Sequence, residues 1–277
     1  MITGTLSIWN RIGRATGAQA ISLSVMEFAP GESPAMVNED CDHILYVLNN
    51  PNSAANRDCV AVEDNSQGQA QSTTPLDQSQ IKPAHSEGVL AGIASIDIII
   101  DGQCFVIDSD SGVYLRPAQT FGIYNRSAAS VNIISSKCPD PDRAPRFVNA
   151  AMPANESGPL NPSPIVRLAD QKAQPTADRW YRVLIDERVG STQATQFVGS
   201  IPRGRAPDHF HHYEEVLFIL KGEGRMWAGE SNTPIAAGSC IYLPKGQVHC
   251  VENTGEGELR LLGVFYPAGS PSVRYDV

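Results

Sequence analysis

The chain has 277 residues, 42% of them hydrophobic and 18% charged, which is a globular composition. Its net charge of -9 and pI near 5.1 argue against nucleic acid or an anionic membrane surface as a partner. No apolar run is long enough for a membrane-spanning helix, and 23 glycines with 20 prolines favour short strands and turns.

In chain order, the opening MITGTLSIWNRIGRATG lacks the apolar core of a signal peptide. Six scattered cysteines (Cys41, Cys59, Cys104, Cys138, Cys240, Cys250) form no CxxC pair. They read as reduced thiols of a cytoplasmic protein. Strand patterns occupy AISLSVMEF and HILYVLNN. Residues 50–88, rich in Gln, Ser and Asn, predict a long, mobile surface insertion. Strand signals return at ASIDIIIDGQCFVID, GVYLRP and ASVNIISSK. Residues 138–178, rich in Pro, Ala and Asn, predict a linker on the surface. RWYRVLIDE, TQFVGSIPRG, EVLFILKGEGRMWAG, GSCIYLPKG and ELRLLGVFYP then follow at steady spacing. This spacing predicts an antiparallel sandwich or barrel, and no long amphipathic helix is evident.

The chain repeats itself. HILYVLNN (43–50) matches EVLFILKG (215–222), and YLRPAQTFGIYN (114–125) matches YLPKGQVHCVEN (242–253), in the same order. Two copies of one all-β unit are therefore expected, over residues 1–137 and 179–277.

The chemistry concentrates in PDHFHHYEEVLFILKGEG, residues 207–224. On a strand, side chains two or four apart share a face. His209, His211 and Glu215 point one way; His212 and Glu214 point the other, toward solvent or an interface. A bulge would exchange Glu214 for Glu215. The turn PKG swings the chain back so that His249 can join the first set. Three imidazoles and a carboxylate suit Fe, Mn, Ni, Co, Cu or Zn; a structural cluster of buried imidazoles is the alternative, and it would need other partners.

Gly204, His209-x-His211-x3-Glu215-x6-Gly222 and Gly238-x5-Pro244-x-Gly246-x2-His249-x3-Asn253 resemble the two motifs of the cupin superfamily. The one departure is four residues rather than five between Gly204 and His209. The resemblance covers residues 179–277. It implies tandem double-stranded β-helix (jelly-roll) barrels, a bicupin, with His209, His211, Glu215 and His249 holding one divalent metal ion, iron or manganese favoured. It further implies a small-molecule metalloenzyme of dioxygenase-like, oxidoreductase type. The alternatives are a non-oxidative lyase or isomerase, or a non-catalytic ligand-binding or sensory module.

In the first copy the corresponding slots hold Val37, Glu39, His43 and Phe121, so this half is expected to be structural. Pocket candidates beside the metal site are Tyr213, Arg225, Met226, Tyr242 and Phe265. Arg225 would favour a carboxylate substrate. Cys250, of opposite parity to His249, reads as packing, and His85 in the insertion is given no role. Val216 and Phe218 share the outward parity, which predicts contact with the other barrel or with a second subunit in a homodimer.

Overall fold

A computed structural model describes residues 2–48, 59–61, 96–149, 160–176 and 178–273. The described chain is almost entirely β-strand, with three short 3-10 turns at Arg14–Thr16, Leu168–Asp170 and Glu187–Val189. It forms two similar units, each made of two facing antiparallel sheets.

In the first unit, the strand Asp42–Val47 lies between Val131–Cys138 and Ser111–Leu115. The facing sheet centres on Thr120–Asn125, flanked by Ala35–Val37 and Ile96–Ile100. In the second unit, Glu214–Lys221 takes the same place between Leu259–Tyr266 and Cys240–Leu243. Its facing sheet has the order Gly204–Arg205, His249–Asn253, Glu223–Ala228, Ser231–Ala236. The repeated sequence blocks thus occupy equivalent strands.

The repeated strands are nearly continuous apolar runs because both of their faces are covered. Along Glu214–Lys221, Leu217 and Ile219 enter the core of their own barrel. Val216 and Phe218 belong instead to a core common to both barrels, which also holds Ile44, Tyr46 and Tyr114 of the first unit. The first barrel mirrors this: Leu45 and Val47 turn inward and Ile44 and Tyr46 outward. Of the two partners expected for Val216 and Phe218, the other barrel is the one they meet, and these side chains are not available to a second subunit.

Glu214 seals the same junction. It is buried, and its carboxylate accepts the backbone N–H groups of Gln19 (2.8 Å) and Ala20 (2.7 Å) and the Tyr242 hydroxyl.

Residues 138–178 do more than span the surface. Arg146–Val148 pairs with Ala35–Val37, Ile165–Arg167 with Ser111–Val113, and Gln174–Thr176 with Arg179–Tyr181. Each barrel therefore draws an edge strand from this stretch. Within the expected insertion, Cys59–Ala61 runs parallel to Cys240–Tyr242; the rest of residues 50–88, including His85, lies outside the described residues.

Candidate metal centre

Four side chains converge inside the second barrel. His209 and His249 face each other across an isolated β-bridge, with reciprocal backbone bonds: His209 N–H donates to His249 O at 3.1 Å and His249 N–H to His209 O at 2.8 Å. His211 is tied in by its carbonyl, which accepts the Gly246 N–H at 2.8 Å. Gly246 closes the PKG turn at φ 77°, in the left-handed region that a glycine enters without cost. At the far end of the first motif, Gly222 has φ 86°, and a Cβ there would sit 2.8 Å from the Glu258 carbonyl oxygen. The motif glycines thus shape the frame that holds the imidazoles.

One ring nitrogen from each of His209, His211 and His249 lies within 4.8 Å of the others. The Nδ1 atoms of His209 and His249 contact the carbonyls of Pro207 (3.0 Å) and Gln247 (2.8 Å). A carbonyl only accepts, so each Nδ1 carries the hydrogen and each Nε2 keeps its lone pair, the form in which imidazole binds a metal. Glu215 Oε2 lies 3.7 Å from His211 Nε2 and 3.8 Å from His249 Nε2. Those separations are too long for hydrogen bonds and leave room for a shared ion. His211 Nδ1 is buried without a hydrogen-bond partner.

The electrostatics agree. Burial, reinforced by the neighbouring imidazoles, pushes His211 down to about 3, and burial lowers His249 to about 4. Burial alone lifts Glu215 to about 8. The protein interior thus penalises charge on His211, His249 and Glu215, and a cation held at the centre of the cluster would offset the penalty on the carboxylate.

A cavity of about 110 Å³ opens onto the cluster. Phe265 lines it, among further apolar walls from Phe197, Leu217, Val251 and Leu261. Tyr213 stacks on His211 at 4.7 Å between ring centroids and donates to the Ser270 carbonyl, so it supports a histidine from behind. Met226 is buried in the apolar core of the barrel and is not among the residues lining the cavity.

Two further pocket candidates, Arg225 and Tyr242, also lie away from the cavity. Arg225 is exposed on the outer face of Glu223–Ala228, where Nη1 donates to Asn232 Oδ1 at 2.6 Å; Met226 takes the inward position next to it. Adjacent strand residues cannot share a face. Tyr242 points to the junction between barrels, where it meets Glu214, while Ile241 and Leu243 turn inward.

The guanidinium that does line the cavity is Arg179, a residue sequence reasoning passed over. Strand parity held the signal: Arg179, Tyr181 and Val183 alternate, and the latter two pack on the barrel core.

In the first barrel the equivalent slots are filled otherwise. Val37 and Phe121 are buried and apolar. Glu39 points to solvent and pairs with Arg146 Nη2 at 2.6 Å. His43 is buried, its Nδ1 bonded to Asn38 Nδ2 (2.8 Å) and its Nε2 to Ser135 Oγ (2.6 Å).

Residues 197–265 match the family model described as "Cupin domain". An uncharacterized protein of Aquifex aeolicus is 30% identical over 109 residues, covering 34% of this chain and 88% of that protein. The oxalate-binding protein of Thermotoga maritima is 39% identical over 57 residues, 20% of this chain and 47% of that one. Three further curated relatives are matched over 35% to 56% of their length. A deletion variant of Bacillus subtilis oxalate decarboxylase superposes with a TM-score of 0.64 at 12% identity, over 98% of this chain and 79% of that one, a likeness of fold. With both metal-site motifs in place and two jelly-roll units in tandem, the chain belongs to the cupin superfamily.

Proposed function

We propose that the second barrel holds one divalent metal ion through His209, His211, Glu215 and His249, and that the protein is a metal-dependent enzyme acting on a small organic acid. The observation that carries this reading is the convergence of three imidazoles, with the Nδ1 atoms of His209 and His249 bound to backbone carbonyls and Glu215 standing 3.7 Å from His211 and 3.8 Å from His249. Iron and manganese suit the mixed nitrogen and carboxylate set. When bound, such an ion supplies Lewis acidity and, for iron, redox chemistry.

The residues of this chain do the rest. Glu215 and the imidazoles present the donors, and the apolar walls exclude water from the reacting end. Apart from the proposed ligands, Arg179 is the one Lys, Arg, Asp, Glu or His among the described residues lining the cavity. The scarcity of other proton-transfer groups favours oxygen-dependent, dioxygenase-like oxidation over hydrolysis. A non-oxidative lyase is the second reading, suggested by the likeness of fold to oxalate decarboxylase over 98% of this chain and 79% of that one.

The test is elemental analysis of protein purified without a metal-affinity tag, with His249→Ala as control. Near one equivalent of metal, falling to background in the variant, is the expected result. No metal in the wild type, even after reconstitution, overturns the proposal. With loaded protein, oxygen uptake stoichiometric with substrate loss supports the oxidative reading. Carbon dioxide release without net oxygen consumption supports the lyase.

A further inference from the structure

The cavity has two unlike ends. The imidazole cluster and Glu215 sit at one, and Arg179 lines the other. Thr195 pairs with Phe265, which pairs with Glu215, whereas Trp180, next to Arg179, pairs with Ser200 toward the other end of the same strand. Between the ends the walls are Phe197, Leu217, Leu261, Val251 and Ile201, all apolar.

Arg179 is held at the mouth. Its side chain is 15% exposed, and an exposed Asp178 takes its Nε at 2.9 Å and its Nη2 at 2.8 Å. Asp178 thereby occupies one edge of the guanidinium fork. Among the described residues no acceptor engages Nη1. A planar fork with a second edge open is suited to a carboxylate.

A compact diacid would sit badly here. Both of its charged ends would have to be satisfied at the metal cluster, or one would be left against phenylalanine and leucine side chains, where an unpaired carboxylate is costly. An acid with an apolar body meets the whole surface: carboxylate at Arg179, body against the walls. The volume sets the size, since an apolar cavity of about 150 Å³ holds a benzene molecule.

We propose that the site selects monocarboxylic acids carrying an apolar or aromatic body of about one ring, and that Arg179 is the residue that recognises the carboxylate. The inference deepens the organic-acid reading above and rests on it for the reacting end of the cavity; carboxylate recognition itself is tested apart from the metal.

The experiment is calorimetric titration of 3-phenylpropanoate, 3-phenylpropanamide and oxalate into wild type, Arg179→Gln and Arg179→Lys, with metal content measured on each sample. The expected result is that 3-phenylpropanoate binds wild type more tightly than either other probe. Arg179→Gln should weaken it at least tenfold, leave the amide within twofold and keep the metal content of wild type. Arg179→Lys should recover part of the loss. Equal binding of acid and amide by wild type, tighter binding of oxalate, or an Arg179→Gln affinity within twofold of wild type would overturn the proposal. Absence of metal in a wild type that still discriminates acid from amide through Arg179 would overturn the metal reading and leave this inference standing.

Discussion

The two barrels place histidine and glutamate at the same structural position and do opposite things with them. His43 and Glu215 occupy equivalent places on equivalent strands. His43 is surrounded: Asn38 donates to Nδ1, Nε2–H donates to Ser135 Oγ, and Phe121 lies edge-on at 5.2 Å. Both of its nitrogens are spent on the protein, which suits a buried ring. In the second barrel His249 gives Nδ1 to the Gln247 carbonyl and turns Nε2 toward Glu215, 3.8 Å from its Oε2, too far for a hydrogen bond. A histidine becomes an available ligand when its second nitrogen is left unpaired by design, and burial alone does not provide that.

The largest effect that would sharpen this contrast is on acid stability. Burial, aided by the nearby Lys137, lowers His43 to about 3. An unfolded histidine titrates near 6.5. Below that pH the unfolded chain binds the proton and the folded ring does not, so stability falls as pH drops from about 6.5 toward 3. The slope is ~1.4 kcal/mol per pH unit, for a total of roughly 5 kcal/mol. His43→Gln should flatten this part of the profile, seen in urea midpoints between pH 7 and 4. A slope unchanged by the substitution would mean that the buried ring accepts a proton and that the two barrels are less different than their hydrogen bonds indicate.

Next in size is the junction. Glu214 differs from Glu215 by one residue and therefore by one face. Glu214→Ala would leave the Gln19 and Ala20 N–H groups and the Tyr242 hydroxyl buried without their acceptor. At ~1–1.5 kcal/mol per orphaned group, the lower part of the usual range, the three groups give an expected loss of roughly 3–5 kcal/mol. Urea denaturation measures it, and a retained metal equivalent in the folded variant would separate the structural carboxylate from the proposed ligand. Loss of metal at unchanged stability would reverse the two roles.

Much of this site was legible because the strand period is two and the motif is local. Spacing alone assigned His209, His211 and Glu215 to one face and Glu214 to the other, and the repeat placed the silent slots of the first barrel. Legibility failed where both faces of a strand are covered. Cys240–Leu243 is buried at all four positions, so hydrophobicity does not tell Tyr242 from Ile241. It failed again where contact is remote in sequence: Arg179 lies thirty residues before His209 and joins it only through the closed barrel. Strands from the Pro-rich stretch 138–178 were hidden by composition, because edge pairing asks little of the side chains.

The smallest effect tests where the two barrels are alike. Asn125 and Asn253 end their respective motifs and do the same work. Asn125 Nδ2 donates to the carbonyls of Phe28 (2.9 Å) and Ala129 (2.8 Å), and Asn253 Nδ2 to those of Ile201 (2.8 Å) and Gly257 (2.7 Å). Each amide pins the loop after its strand and leaves its oxygen to a backbone N–H two residues on. Replacing either by alanine strips two carbonyls of a partner, at an expected ~2 kcal/mol each. Because the bonding is the same in a barrel with the histidine cluster and in one without it, the two losses in thermal or urea stability should agree within about 1 kcal/mol. Metal content should be unchanged in both. If Asn253→Ala alone released metal, the second asparagine would be holding the His249 strand for the ion rather than for the fold, and the likeness of the two halves would end one residue sooner.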